Sequence, residues 1–300
     1  MLSRDVLECY IKAGKIASEV RSEAKEIVKK GVPLLEICEK VEASIKAKGG
    51  ELAFPCNICL NEIAAHYSSP PEDAQTVPKN AVVKIDLGVH IDGYIADTAM
   101  TVCLNPEFDG MVYAVNEALK QVINMVRPGV KTSQIGEVVQ KTAQRYGLKP
   151  IWNLTGHQLS KYVLHTGKPI PNVPRFDFAR INAGEVFAIE PFFTLSSGKG
   201  EIRSGTDSYI FRLQRERGVK SPTAKDLMDK IKENFKTLPF SKRWLNGFMP
   251  KSELDAAFKE LLSAKNLMDY PILIEAAGKT VVQAEHTVIV TDDGRIVTTQ

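Results

Sequence analysis

Apolar positions in the first 50 residues recur with the spacing of amphipathic helices. From Ser3 to Lys30 an apolar residue returns every three or four positions, and Gly31-Val32-Pro33 ends the run. The same spacing resumes at Leu34 and continues to about Lys48, where two glycines follow. The chain is therefore predicted to open with two helices.

The pattern then changes to the two-residue alternation of β-strands. It runs from Val83 to Val89, a turn follows at Ile91-Asp92-Gly93, and alternation resumes at Tyr94, which predicts a β-hairpin. With Ile91-Asp92 as the loop, residues whose numbers add to 183 are paired, and Asp86 lies opposite Asp97. Such a carboxylate pair is destabilising unless a proton or a divalent cation lies between its members. The alternative is a register shifted by one residue, with both side chains in water.

The same order of elements returns later in the chain. Residues 107–126 and 132–145 are predicted helices, and Gly31-Val32 reappears as Gly129-Val130 at an offset of 98. The strand AVVKID at 81–86 corresponds to EVFAIE at 185–190. We therefore predict an internal duplication.

The duplication adds two more carboxylates to the first pair. Asp86 is mirrored by Glu190, and Asp97 by Glu285. Two hairpins related by pseudo-symmetry can bring all four to one place, where unpaired buried charge costs several kcal/mol per ion. Two divalent cations would neutralise them. His157 and His165 lie in the extended stretch just before the Glu190 strand, where an imidazole can join such a site.

The second hairpin is predicted to carry a long insertion. Asp86 and Asp97 are 11 residues apart, whereas Glu190 and Glu285 are 95 apart, a difference of 84. The inserted segment, residues 194–273, contains predicted helices over 221–235 and from Ser252 to about Lys265. Residues 217–269 hold 11 Lys and Arg against 7 Asp and Glu. That excess suits either a solvated helical surface or a contact with RNA or the ribosome.

Composition restricts the class of protein. The 300 residues are 44% hydrophobic with a net charge of +3, which fits a globular chain and is too mild to indicate nucleic-acid binding. Charged residues interrupt the N-terminal segment, and no apolar run approaches the roughly 20 residues of a membrane helix. We therefore predict a cytoplasmic protein. The five cysteines are scattered, and Cys56 and Cys59 lack a second ligand pair for zinc, so they are interpreted mainly as core thiols.

The ordered set Asp86, Asp97, His157, Glu190 and Glu285 resembles the metal ligands of the methionine aminopeptidases. FPCNICLNEIAAHY looks like the segment that carries the family's first active-site histidine, here His66, and GHQLSKYVLHTGK resembles its ligand histidine followed by a second catalytic one, His165. The long insertion is typical of type 2 enzymes, and the absence of an N-terminal extension resembles the archaeal members. The resemblance covers essentially the whole chain.

The resemblance implies an α+β pita-bread fold with an internal pseudo-twofold. Residues 1–193 and 274–300 would form the catalytic domain, and residues 194–273 a mainly helical, winged-helix-like subdomain. It also implies a monomer that acts on the N-terminal Met of nascent polypeptides, without a membrane or a specific nucleic-acid sequence as partner. An Xaa-Pro peptidase of the same fold and a non-catalytic binding protein are the alternatives. The former usually carries a large N-terminal domain, and the latter would have lost ligands.

The resemblance further implies a mechanism with two divalent metals, cobalt, manganese, iron or zinc. A metal-activated hydroxide would attack the scissile carbonyl, with His66, His165 and Glu190 as catalytic residues. The initiator Met would be removed when the next residue is small. The expected substrate-binding residues are Phe54, His66, Leu164, His165, Tyr270 and Leu273.

Overall fold

The computed structural model describes residues 2–176 and 179–300. The first half of the chain contains two helices and four strands. These are α1 (Arg4–Ile27), α2 (Leu34–Ala47), β1 (Glu51–Leu60), β2 (Ile63–Ala65), β3 (Val82–Ile91) and β4 (Tyr94–Cys103). Strands β1, β3 and β4 form an antiparallel sheet in that order. Both predicted helices are confirmed, and α1 begins after Ser3, whose hydroxyl accepts a hydrogen bond from Val6 N.

The second half of the chain repeats this arrangement. It contains α3 (Asp109–Met125), α4 (Thr132–Arg145), β5 (Leu148–Pro150), β6 (Thr155–Ser160), β7 (Val163–Pro171), β8 (Val186–Ile189) and β9 (Phe192–Leu195). The predicted helices over 107–126 and 132–145 are present within two residues of those bounds. Each helix pair packs over its own buried apolar cluster, one in each half of the chain.

The inserted segment contains strands as well as the two predicted helices. Its elements are β10 (Ile202–Leu213), α5 (Pro222–Phe235), β11 (Phe240–Ser241), a 3₁₀ helix (Lys242–Leu245), α6 (Lys251–Ser263) and β12 (Leu267–Glu275). The helices enclose a third apolar cluster. Strand β12 pairs with β10 and also with β2 of the first half, through Leu273 and Ala65. The insertion is therefore joined to the rest of the protein by a shared sheet, and the proposed division into domains stays a prediction.

Three strands complete the chain: β13 (Val281–Gln283), β14 (His286–Val290) and β15 (Arg295–Val297). Strand β14 pairs with β8 in a five-stranded sheet of order β15-β14-β8-β6-β7. The β8–β14 pair is thus the counterpart of the β3–β4 hairpin, with the inserted segment lying between its arms in sequence. No helix within the described ranges is long and apolar enough to cross a bilayer.

The register of the first hairpin differs from the predicted one. Ile91 pairs with Tyr94, so the loop is Asp92-Gly93, and both loop residues have positive φ, as a two-residue hairpin loop requires. Asp86 is opposite Ala99, and Asp97 is opposite Gly88. The prediction that Asp86 directly faces Asp97 was wrong by two residues. Because side chains alternate with a period of two, the two carboxylates still project from the same face.

Candidate metal centre

One cavity of about 200 Å³ lies between the two hairpins. All eleven metal-ligand and substrate-binding residues expected from the sequence resemblance line this cavity. These lining residues include Phe54, His66, Asp86, Asp97, His157, Leu164, His165, Glu190, Tyr270, Leu273 and Glu285. The structure therefore brings together side chains that are up to 231 positions apart in the sequence, from Phe54 to Glu285.

Hydrogen bonds between β4 and β14 hold the carboxylates of the two hairpins side by side. Asp97 N donates to Thr287 Oγ1 at 2.7 Å, and that hydroxyl donates back to Asp97 O at 2.8 Å. One residue further, Thr98 Oγ1 donates to the backbone oxygen of Glu285 at 2.8 Å. Glu190 directly follows β8, and Glu285 directly precedes β14. The pseudo-symmetric arms therefore meet where the acidic residues lie.

The four carboxylates destabilise one another in the absence of a cation. Burial raises the pKa of Asp86 to about 7. The pKa of Asp97 is well above its ordinary value because of burial first and the charge of Asp86 second. Burial and then the Asp97 charge likewise raise the pKa values of Glu190 and Glu285. This environment favours any ligand that brings positive charge.

His157 adds an imidazole to the carboxylates. Its Nε2 lies 3.6 Å from Asp97 Oδ2 and 3.5 Å from Glu190 Oε1. Burial lowers the pKa of His157 to about 4, which leaves the ring neutral with a lone pair for a metal. The preceding Gly156 allows β6 to approach β8, because a Cβ there would lie 2.4 Å from the Ala188 oxygen. A larger residue would displace the strand that carries His157.

These residues fit a divalent cation. Ligand atoms of Asp97, His157 and Glu285 all lie within 4.8 Å of one another. Buried atoms Asp86 Oδ1 and Asp97 Oδ1 have no hydrogen-bond partner among residues 2–176 and 179–300. Carboxylate and imidazole donors together suit metals such as manganese, cobalt, iron and zinc. These unpartnered carboxylate oxygens are donor atoms that such a metal would use.

Two further histidines lie beside this group. The His165 ring is 4.2 Å from the His157 ring, centre to centre, and His66 forms an edge contact with Tyr270 at 5.6 Å. His66 Nδ1 is 3.2 Å from the Pro271 carbonyl oxygen. Burial lowers the pKa of His66 to about 4 and that of His165 well below its usual value. Both rings are therefore neutral near pH 7.

The rest of the cavity wall is largely apolar. Phe54, Leu164, Tyr270 and Leu273 form part of it, and their role in substrate binding stays a prediction. Eight further lining residues were not predicted from the sequence: Asn57, Ala65, Asn153, Leu154, Thr155, Phe192, Ile210 and Pro239. Ile210 and Pro239 belong to the inserted segment, and no pattern within that segment indicated which of its residues face the carboxylates.

Gln283 is a buried polar residue that the sequence analysis missed. Its Nε2 donates to Glu190 Oε2 at 3.3 Å and to Glu285 Oε2 at 3.5 Å, and the residue is 1% exposed. The signal was its position two residues before Glu285, because side chains two apart along an extended segment share a face. His286, by contrast, contacts Thr299 Oγ1 at 2.9 Å and does not line the cavity. All five cysteines are free thiols, as expected for residues without a second zinc-ligand pair.

Comparison with known proteins gives a family for the chain. The model of metallopeptidase family M24 matches residues 8–292. The methionine aminopeptidase of Pyrococcus horikoshii is 44% identical over 291 residues, which cover 97% of this chain and 98% of that one. The enzyme of Methanothermobacter thermautotrophicus is 41% identical over 298 residues, or 98% of this chain and 99% of the other.

Solved structures share the fold at low sequence identity. A thermophilic Arx1 superposes with a TM-score of 0.84 at 19% identity, covering 99% of this chain and 91% of that chain. The methionine aminopeptidase of Thermotoga maritima gives 0.72 at 17% identity, with coverage of 100% and 98%. The prolidase of Pyrococcus horikoshii gives 0.61 at 18%, covering 99% of this chain but 62% of that chain. The predicted α+β pita-bread fold is confirmed, and the chain belongs to metallopeptidase family M24, among the methionine aminopeptidases.

Proposed function

We propose that the protein is a dinuclear metal-dependent aminopeptidase that removes an N-terminal Met followed by a small residue. The observation that carries this proposal is the single cavity in which buried carboxylates and His157 lie beside an apolar wall. Curated relatives at 41–44% identity over nearly the full chain are methionine aminopeptidases. Prolidases share the fold at 18% identity, which is far below the identity to these methionine aminopeptidases. The Xaa-Pro peptidase is therefore not favoured.

Asp86, Asp97, His157, Glu190 and Glu285 would hold the metals. Divalent ions in such a site lower the pKa of a coordinated water and polarise a carbonyl oxygen. The protein itself supplies negative charge that would select cations, and Asp97 and Glu285 are buried at 3% and 1% exposure. Cobalt, manganese, iron and zinc are all compatible with this donor set.

The substrate's Met side chain would enter the apolar part of the cavity. Phe54 is 5% exposed and Leu164 is 7% exposed, and Tyr270 and Leu273 face them from β12. The peptide's amino group would then lie towards the carboxylates, whose negative charge attracts it. A thioether side chain suits this wall because it is flexible, apolar and polarisable.

His66, His165 and Glu190 are the proposed proton-handling residues. Since a carbonyl can only accept, His66 Nδ1 carries the hydrogen that is donated to Pro271 O, and Nε2 has a free lone pair. His66 Nε2 would therefore accept a hydrogen bond from the scissile amide N–H. Neutral His165 would donate towards the developing oxyanion, and Glu190, with its raised pKa, would accept the proton released by the nucleophile.

The preference for a small second residue follows from crowding beside the scissile bond. The rings of His66 and Tyr270 are 5.6 Å apart, and those of His165 and Tyr270 are 6.3 Å apart, centre to centre. A second side chain must pass between these rings and the carboxylates. Gly, Ala or Ser can be accommodated there, whereas a bulky side chain would collide with the rings.

In the cell, the substrates would be nascent polypeptides in the cytoplasm. The net charge of +4 on residues 217–269 favours proximity to RNA-rich surfaces such as the ribosome, and it equally suits a solvated exterior. The proposal requires neither a membrane nor a specific nucleic-acid sequence. The active unit proposed is a monomer.

The decisive experiment compares three peptides before and after chelation. Protein purified without added metal is analysed for bound metals, stripped, and reconstituted separately with manganese, cobalt, iron and zinc. We expect release of Met from Met-Ala-Ser, much slower release from Met-Leu-Ser, and no hydrolysis of an Xaa-Pro dipeptide. Saturation of activity at two metals per chain would support the dinuclear site. Equal turnover of Met-Ala-Ser and Met-Leu-Ser, or activity that survives chelation, would contradict the proposal.

A further inference from the structure

Arg212 lies beside the cavity on a strand that forms part of its wall. Ile210, two residues earlier in β10, lines the cavity and pairs with Tyr270, whereas Arg212 pairs with Met268. Side chains two apart on a strand share a face. Arg212 therefore projects from the cavity-facing side of β10, and it is half-buried at the margin of the lining.

Among the described residues, no carboxylate pairs with the Arg212 guanidinium. Its Nη2 contacts the Met268 sulfur, a weak acceptor, at 3.7 Å, and its Nε is buried without a hydrogen-bond partner in residues 2–176 and 179–300. None of the ion pairs in those ranges includes Arg212. A half-buried guanidinium without a partner is costly, and an incoming anion would relieve that cost.

The guanidinium is close enough to act on the residues proposed to flank the scissile bond. After burial and the two neighbouring histidines, the charge of Arg212 contributes to the lowered pKa of His165. It also offsets part of the rise that burial causes in the pKa of Tyr270. Arg212 and the proposed path of the peptide are thus on the same side of the cavity.

We propose that Arg212 forms a subsite for a carboxylate side chain on the third or fourth residue of the peptide substrate. This inference rests on the proposed function, since the peptide must first place its Met in the cavity. An extended peptide advances about 3.3 Å per residue, so the third and fourth residues are the ones that pass the margin of the cavity. A guanidinium recognises a carboxylate through two parallel hydrogen bonds, which distinguishes Asp from its isostere Asn.

The test measures kcat/KM for matched peptides that differ in one charge. Met-Ala-Asp-Ser-amide is compared with Met-Ala-Asn-Ser-amide, and Met-Ala-Ser-Asp-amide with Met-Ala-Ser-Asn-amide. For the wild-type protein loaded with manganese we expect an Asp/Asn ratio of about three- to tenfold in one of the pairs at low salt, the size of a partly exposed ion pair. The ratio should approach one at high salt, because exposed charges are screened there.

The variants are compared through the same ratio, so that a general loss of active enzyme cancels. Arg212→Gln should bring the ratio to about one, and Arg212→Glu should take it below one. Arg215→Gln is the matched control, because Arg215 lies three positions further along and donates to the Ala264 carbonyl oxygen. It should keep the wild-type ratio.

Three other outcomes would contradict the inference, and the measurements distinguish between them. If the wild-type protein cleaves both members of each pair at equal rates, the subsite is contradicted, whereas the proposed function is not affected. An Arg212→Gln variant that loses the same factor on Asp and Asn peptides would assign the guanidinium to a backbone carbonyl instead. Failure of the metal-loaded wild-type protein to cleave any of the four peptides overturns the proposed function and the subsite together.

Discussion

Arg243 in the inserted segment donates two hydrogen bonds to the carboxylate of Glu42 in α2. Both side chains are 7% exposed. Trp244 Nε1 donates to the same carboxylate at 2.8 Å, and Cys56 N donates to it at 3.1 Å. One buried carboxylate thereby joins α2, β1 and the 3₁₀ helix of the insertion.

Removal of this carboxylate should destabilise the protein strongly. Glu42→Ala leaves a buried guanidinium without its partner, which costs about 3–5 kcal/mol. The free energy of unfolding, measured with urea, should fall by that amount. Glu72→Ala is the control, because its pair with Lys251 is exposed and is worth at most about 1 kcal/mol. A Glu42→Ala variant no less stable than Glu72→Ala would show that the buried pair does not hold the insertion in place.

Removal of a proposed metal ligand should abolish cleavage and leave the fold intact. His157→Ala and Glu190→Ala each delete a donor from the carboxylate cluster, so Met release from Met-Ala-Ser should disappear and bound metal should decrease. The circular dichroism spectrum should stay the same, because neither side chain belongs to the apolar clusters. His90→Ala is the control: this histidine is also buried but pairs with Glu51, away from the cavity. Full activity in either ligand variant would contradict the dinuclear mechanism.

Gln283 should influence how tightly the metals bind. Its amide fixes the orientation of Glu190 and Glu285, and loss of such a supporting hydrogen bond typically costs about 10–100-fold in metal affinity or activity. Gln283→Met keeps the volume and removes both donors. Titration calorimetry with manganese should then show a dissociation constant that is about 10–100-fold larger than that of the wild-type protein. Unchanged affinity would mean that the two carboxylates are oriented without the amide.

The sequence predicted the helices, the strands and the faces of the strands more accurately than the pairing of individual residues. Alternation correctly predicted that Asp86 and Asp97 share one face of the hairpin. Because a shift of two residues preserves that face, alternation could not identify the true register. Only the positive φ of Asp92 and Gly93 selects the loop, and the run Ile91-Asp92-Gly93 allows more than one choice of loop. Ile210 and Pro239 line the cavity through folding of the insertion onto β2, a long-range contact without a local pattern.

Gly88 should be required for the shape of the proposed Met pocket. A Cβ at this position would lie 2.2 Å from the Phe54 ring, and overpacking of this kind costs about 1–3 kcal/mol unless the ring moves. In a Gly88→Ala variant, displacement of Phe54 into the cavity should raise KM for Met-Ala-Ser by about fivefold or more, since 1 kcal/mol corresponds to that factor. Gly110→Ala is the control, because nothing lies within 4 Å of its Cβ position. Equal KM values for the two variants would show that Phe54 does not shape the pocket.

The effect of metal on thermal stability should grow as the pH rises. In the metal-free protein, burial raises the pKa of Asp86 from 3.8 to about 7, so the folded state binds more protons than the unfolded state in that interval. Its contribution to stability is present below pH 3.8 and is lost as the pH increases to about 7. A bound cation requires the ionised carboxylate, so its stabilisation follows the opposite course. Melting temperatures measured between pH 5 and 7.5, with manganese and with a chelator, should diverge towards high pH, and Asp86→Asn should reduce that divergence. A constant difference across the interval in the wild-type protein would contradict this account of the carboxylate cluster.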